Sequence, residues 1–129
     1  MSLDWQSGAL ADGLRCYRNR EFWAAHEHWE SVWLGLEEPE KNFLQALIQT
    51  TAAFHHVQTG NTRGALSLLA KALRRFEPYP ASFGGVDLAQ LRKEAGAWLL
   101  ALKSGADPHP ADFPNIRPIL PIPGANRTD

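Results

Sequence analysis

From Asn42 to Gln58 the chain runs seventeen residues without an Asp, Glu, Lys or Arg, and that run constrains what it can fold into. A charge-free helix must be covered around most of its circumference, because each Å² of apolar surface left in water forgoes about 25 cal/mol. A bilayer is a poor cover: Gln45, Gln49, Gln58, His55 and His56 lie in the run, and a spanning helix needs about 20 predominantly apolar residues. The expected cover is other helices. Leu44, Leu47, Thr51 and Phe54 share one face of the run. The opposite side carries Asn42, Gln45, Gln49 and His56, separated by Ala46, Ala52 and Ala53, which are small enough to let a second helix approach.

The covering helices are legible. Before residue 105, Val and Ile are scarce and no segment alternates at period two, whereas the 3.6-residue period recurs throughout. The spacing predicts a first helix over about 3–18, with Leu3, Leu10, Leu14 and Tyr17 inward, and a second over about 20–34 that stops at Gly35. Pro39 suits the first turn of the third, which ends at Gly60. Asn61 or Thr62 caps a fourth, in which Ala65, Leu68, Leu69, Ala72, Leu73 and Phe76 form a continuous stripe. Pro78, Pro80, Gly84 and Gly85 make a loop, and Asp87 caps a fifth helix to about Lys103. The fold class is therefore all-α, a compact bundle of about five helices over 1–105.

Residues 106–129 form a separate, proline-rich extended tail. Six of the chain's nine prolines fall there, interleaved with Phe113, Ile116, Ile119, Leu120 and Ile122. Proline excludes helix, and five large apolar side chains exclude a solvated linker. The tail is expected to lie along the helical body or along a second subunit, which makes it a candidate homo-oligomer contact.

At 129 residues the chain suits one domain. Thirteen Lys and Arg against fourteen Asp and Glu leave a net charge of -1, with no basic excess for nucleic acid. Cys16 is the only cysteine, so no internal disulfide forms. No charged stretch followed by an apolar one opens the sequence, and the expected compartment is the cytoplasm. No membrane partner is expected.

Chemistry concentrates in the second helix, Glu21-Phe-Trp-Ala-Ala-His-Glu-His-Trp-Glu-Ser-Val-Trp33. At 100° per residue, Phe22, Trp23, Trp29, Glu30 and Trp33 fall within about 60° of His26, while Glu27 and His28 point away. If the aromatic residues mark the core, Glu30 is buried beside them and needs a partner. His26 stands one turn away at i, i+4. Should the second and third helices pack antiparallel, Gln45, Gln49 and His56 would converge on this pair. Three readings follow: a structural hydrogen-bond network, a metal or catalytic centre, and a pocket for a small ligand of unknown identity. In the second, a divalent cation (zinc, manganese or iron) sits on His26, Glu30 and His56, with Glu27 or Glu30 as base toward a metal-bound water, and Gln45 and Gln49 line the ligand pocket. The zinc-protease helix motif is not met, because position 30 is Glu where that motif has His.

Phe22-Trp-Ala-Ala-His-Glu-His-Trp-Glu-Ser-Val-Trp33, Leu44-Gln-Ala-Leu-Ile-Gln49, His55-His56, Gly60-Asn61 and Gly64-Ala65 together resemble the small helical family known as domain-of-unknown-function 309, over about residues 9–79. The resemblance implies an all-α fold. Some members are labelled predicted metal-dependent hydrolase, which implies a hydrolase here. The family pattern points to His26, Glu27, Glu30, Trp33 and Gln49. The alternative reading is a non-catalytic binding or assembly module in which the polar cluster is structural.

Overall fold

The computed structural model describes residues 3–105 and 113–119. Five helices, α1 (Gly8–Arg18), α2 (Phe22–Trp33), α3 (Glu40–Gln58), α4 (Thr62–Phe76) and α5 (Leu88–Lys103), carry the fold, with one two-stranded hairpin, β1 (Ser82–Phe83) and β2 (Val86–Asp87), between α4 and α5. The all-α expectation holds. Successive helices pack on one another, and α3 lies between α2 and α4. Nine α3 side chains or backbones are buried, from Phe43 to Phe54. Thr50 and Thr51 satisfy their buried hydroxyls one turn back, on the carbonyls of Ala46 and Leu47, each at 2.8 Å.

Helix boundaries follow local chemistry. The Asn61 side chain accepts from Gly64 N at 2.9 Å, capping α4. Asp87 does the same for α5 through Gln90 N at 3.1 Å. The first helix is shorter than the periodicity suggests, starting at Gly8. Leu3 and Trp5 are buried outside it, and the Trp5 indole donates to the Gly84 carbonyl at 2.7 Å. An apolar residue in a pinned loop produces the same sequence signal as one on a helix face.

The hairpin is a feature that periodicity does not reveal. Gly84 and Gly85 both have positive φ, 60° and 79°, and form its two-residue turn. A β-carbon on Gly84 would stand 2.9 Å from the Phe43 ring, so packing as well as backbone requires glycine there.

From 113 to 119 the tail lies against its own helical body as a strap. Asp87 N donates to the Arg117 carbonyl at 2.9 Å and Ile119 N to the Gly85 carbonyl at 2.7 Å, so the strap pairs with the hairpin. Ile116 is fully buried, and the Phe113 ring stacks on Trp98 with centroids 4.7 Å apart. Ile119 is exposed. Leu120 and Ile122 lie outside the described residues. Among the described residues no helix is long and apolar enough to cross a membrane.

Candidate functional site

The buried stripe of α2 is Phe22, Ala25 and Trp29. Its centre lies about 70° around the axis from His26, so His26 marks the edge of the core. Trp23 is 49% exposed, and the Glu30 side chain is 55% exposed. This corrects the expectation that Glu30 is buried. Not every aromatic residue of α2 belongs to the core, and Trp23 stands outside it.

His26 Nε2 is 3.2 Å from Glu30 Oε2, as the i, i+4 spacing requires. The imidazole itself is mostly shielded: its face stacks on Trp23, centroids 4.4 Å apart and planes at 28°. His55 of α3 approaches Trp23 from the other side, at 5.1 Å. Two histidines thus prop a half-exposed indole. Toward the far end of α2, Lys41 Nζ sits 4.4 Å above the Trp33 ring. His55 and Lys41 are fourteen residues apart, nearly four helical turns, so they mark the line along which α3 faces α2.

The polar line of α3 faces elsewhere. Arg75 of α4 donates from Nε to Gln49 Oε1 at 3.0 Å and from Nη1 to Asn42 Oδ1 at 2.6 Å. Asn42 Nδ2 donates to the Tyr79 hydroxyl, which donates in turn to the Pro39 carbonyl. These bonds lace α3 to α4. His56 turns to the cap of α4, its Nδ1 3.2 Å from Asn61 Nδ2. Gln45 is half-buried on the same helix. The convergence of Gln45, Gln49 and His56 on His26 and Glu30 is therefore not met. Arg75 overturns it: a long cationic side chain from α4 satisfies amides that were expected to face α2.

The donor set His26, Glu30 and His56 does not assemble, and no group of three His, Cys, Asp or Glu side chains able to hold a metal occurs among the described residues. Only His26 and Glu30 stand together, short of the three protein ligands usual in catalytic zinc sites. Glu27 is exposed on the solvent side of α2. Burial, with Glu21 nearby, pushes the Cys16 thiol up and disfavours the thiolate.

Exposure makes the His26–Glu30 pair a surface interaction. Glu30→Ala is expected to change stability by less than about 0.5 kcal/mol in urea titration. A loss above about 1 kcal/mol would mean that Glu30 carries a buried partner after all.

What α2 does present outward is a stripe. Trp23, Glu27, Glu30 and Leu34 fall at i, i+4, i+7 and i+11, all on one exposed face. Leu34 is 73% exposed and retains helical backbone, with φ -58° and ψ -31°. Between residues 21 and 40 there are six glutamates and no Lys or Arg.

Residues 10–68 match the family described as "Domain of unknown function (DUF309)". The chain is similar to an uncharacterized protein of Aquifex aeolicus (strain VF5), 26% identical over 93 residues, which cover 71% of this chain and 28% of that protein. The chain spans less than a third of the length of this relative.

Proposed function

We propose that this chain, whose residues 10–68 match the DUF309 family, is a docking module that takes a basic amphipathic helix of a partner protein on the outward face of α2. The observation that carries this reading is the stripe Trp23, Glu27, Glu30 and Leu34: apolar side chains at both ends and carboxylates between them, in a segment without a Lys or Arg. Eleven residues of helix separate its ends by about 16 Å, which matches a partner helix of three turns. That helix would place apolar residues at its ends and Lys or Arg between them. Large exposed aromatic anchors dominate interface energetics. The Trp23 indole is held in place by His26 and His55, so it loses little freedom on binding.

This reading gives three of the five family-pattern residues a role without a metal. Glu27 and Glu30 belong to the docking stripe, and His26 positions Trp23. The hydrolase reading lacks a third ligand among the described residues. Stoichiometric zinc or manganese that disappears in His26→Ala would reinstate it.

The test is a titration with a helical peptide bearing Leu at i and i+11 and Lys at i+4 and i+7, beside a peptide of the same composition in shuffled order. Saturable binding is expected for the first peptide alone. Trp23→Ala, or Glu27→Gln with Glu30→Gln, should weaken it about tenfold or more, as should raising salt from about 50 to 300 mM. Equal binding of the shuffled peptide, or indifference to Trp23→Ala, overturns the proposal. Self-association lost in Trp23→Ala would instead put a second copy on this face.

A further inference from the structure

Away from the α2 stripe, two cavities share Arg18 as a wall. One, of about 290 Å³, lies between Trp5, Leu14, Arg117 and Pro118. The other, of about 210 Å³, lies between Tyr17, Arg20, Phe113 and Asn115. The strap supplies one wall of each, so they exist as clefts because the tail docks on α1. Neither was expected from the sequence, since Arg18 and Arg117 are 99 positions apart.

Their polar inventory is one-sided. Arg18, Arg20 and Arg117 are exposed, and among the described residues none of the three forms an ion pair with a carboxylate. Two carboxylates nearby are already engaged: Glu94 accepts from Asn115 N and Gln90 Nε2, and Asp4 from Gln6 N and Ser7 Oγ. The Tyr17 hydroxyl is spent on the Pro114 carbonyl at 2.6 Å. What remains to meet a ligand is guanidinium, with the side-chain amides of Gln6 and Asn115, beside apolar walls of Trp5, Leu14 and Pro118.

Arg20 adds an independent observation. Its φ is +63°, a left-handed conformation that costs arginine more than it costs glycine or asparagine. Asn19 immediately precedes it, yet the arginine occupies the strained position. Gln58 Nε2 holds the strained unit by donating to the Arg20 carbonyl at 2.9 Å, and the guanidinium carbon comes to rest 5.8 Å over Phe113 at the second cavity. Strain of this kind persists where the side chain is required in one place.

We infer that the paired cavities bind an organic anion, a phosphate or carboxylate carried on a compact apolar body. The anionic group lies against Arg18, between Arg117 and Arg20, where planar guanidinium groups match carboxylate and phosphate oxygens two at a time. The apolar body fills the space beside Trp5, Leu14 and Pro118. This site is independent of the α2 stripe and stands or falls separately from the docking function.

Titration of the full chain with phenyl phosphate, benzoate, inorganic phosphate and benzyl alcohol, followed by calorimetry and by the Trp5 indole N–H resonance, tests it. Phenyl phosphate or benzoate should saturate and shift the Trp5 resonance. Whichever binds more tightly identifies the head group. Inorganic phosphate and benzyl alcohol, each lacking one half of the ligand, should bind at least about tenfold more weakly. Arg18→Gln should reduce affinity about tenfold or more, whereas Arg74→Gln on α4 should leave it unchanged. No saturation below about 10 mM, or equal losses in Arg18→Gln and Arg74→Gln, overturns the inference. An unmoved Trp5 resonance in the wild type does so without reference to any variant.

Discussion

Gly13→Ala is expected to lower the free energy of unfolding by about 2 to 4 kcal/mol, the reverse of the usual outcome of glycine-to-alanine exchange inside a helix. Gly13 is buried at the crossing of α1 and α2, and a β-carbon built on it would fall inside the Trp29 indole. That indole cannot give way. It is fully buried, donates to the Leu10 carbonyl at 3.2 Å, stacks on Tyr17 and meets Trp5 edge to face at 5.9 Å. Relieving the overlap must separate two helices or break the indole hydrogen bond, and overpacking of about 1 to 3 kcal/mol plus a lost bond of about 1 kcal/mol sets the magnitude. Gly96 of α5 supplies the control, because a β-carbon there meets nothing within 4 Å. Gly96→Ala should stabilise by about 0.5 to 1 kcal/mol. Urea titration of the two variants side by side gives opposite signs. If Gly13→Ala is also stabilising, α1 and α2 do not cross as closely as described.

The same glycine shows what a sequence can and cannot disclose. Read along the helix, Gly13 is a weakness in α1, and only the position of Trp29, sixteen residues on, makes it a contact surface. Periodicity located α3 and α4 well because each makes a continuous buried stripe, and Asn61 and Asp87 cap α4 and α5 as their chemistry requires. It misplaced the inward face of α2 because tryptophan is amphipathic and stable half in water when another ring supports it. His55 supplies part of that support from α3, and the spacing of residues within α2 contains no record of it. The polar line of α3 was likewise visible, whereas its partner was not. Arg75 sits in the last turn of α4, where favourable interaction with the helix dipole already accounts for an arginine. Its bonds to Asn42 and Gln49 depend on how two helices cross. The His26–Glu30 contact, fixed by local spacing alone, was legible in full.

Phe113→Ala should cost about 2 to 4 kcal/mol and release the strap, because this one half-buried ring joins the tail to three helices, and truncating a fully buried aromatic costs about 3 to 5 kcal/mol. Its centroid is 4.9 Å from Phe22 of α2, 5.2 Å from Phe54 of α3 and 4.7 Å from Trp98 of α5. Downstream, Ile116 is buried and Arg117 and Ile119 hold the hairpin, and Phe113 is the first anchor among the described residues of the strap. Ile119→Ala, at a position 53% exposed, should change stability by less than about 0.5 kcal/mol. A second signature separates strap release from simple loss of packing. Burial, with Glu94 nearby, pushes the Tyr17 phenol well above its ordinary value, and the docked strap helps seal it through Pro114. The folded protein then keeps this proton where the unfolded chain, titrating near pH 10, gives it up. Stability is therefore undiminished by this group below about pH 10 and falls above it by up to about 1.4 kcal/mol per pH unit. In Phe113→Ala the strap no longer covers Tyr17, the phenol regains water, and the alkaline slope between about pH 10 and 11 should flatten while neutral-pH stability drops. Urea titrations at pH 7 and through that alkaline range measure both effects. A variant with the wild-type midpoint at pH 7 and an unchanged alkaline slope would show that the strap does not hold Tyr17 out of water.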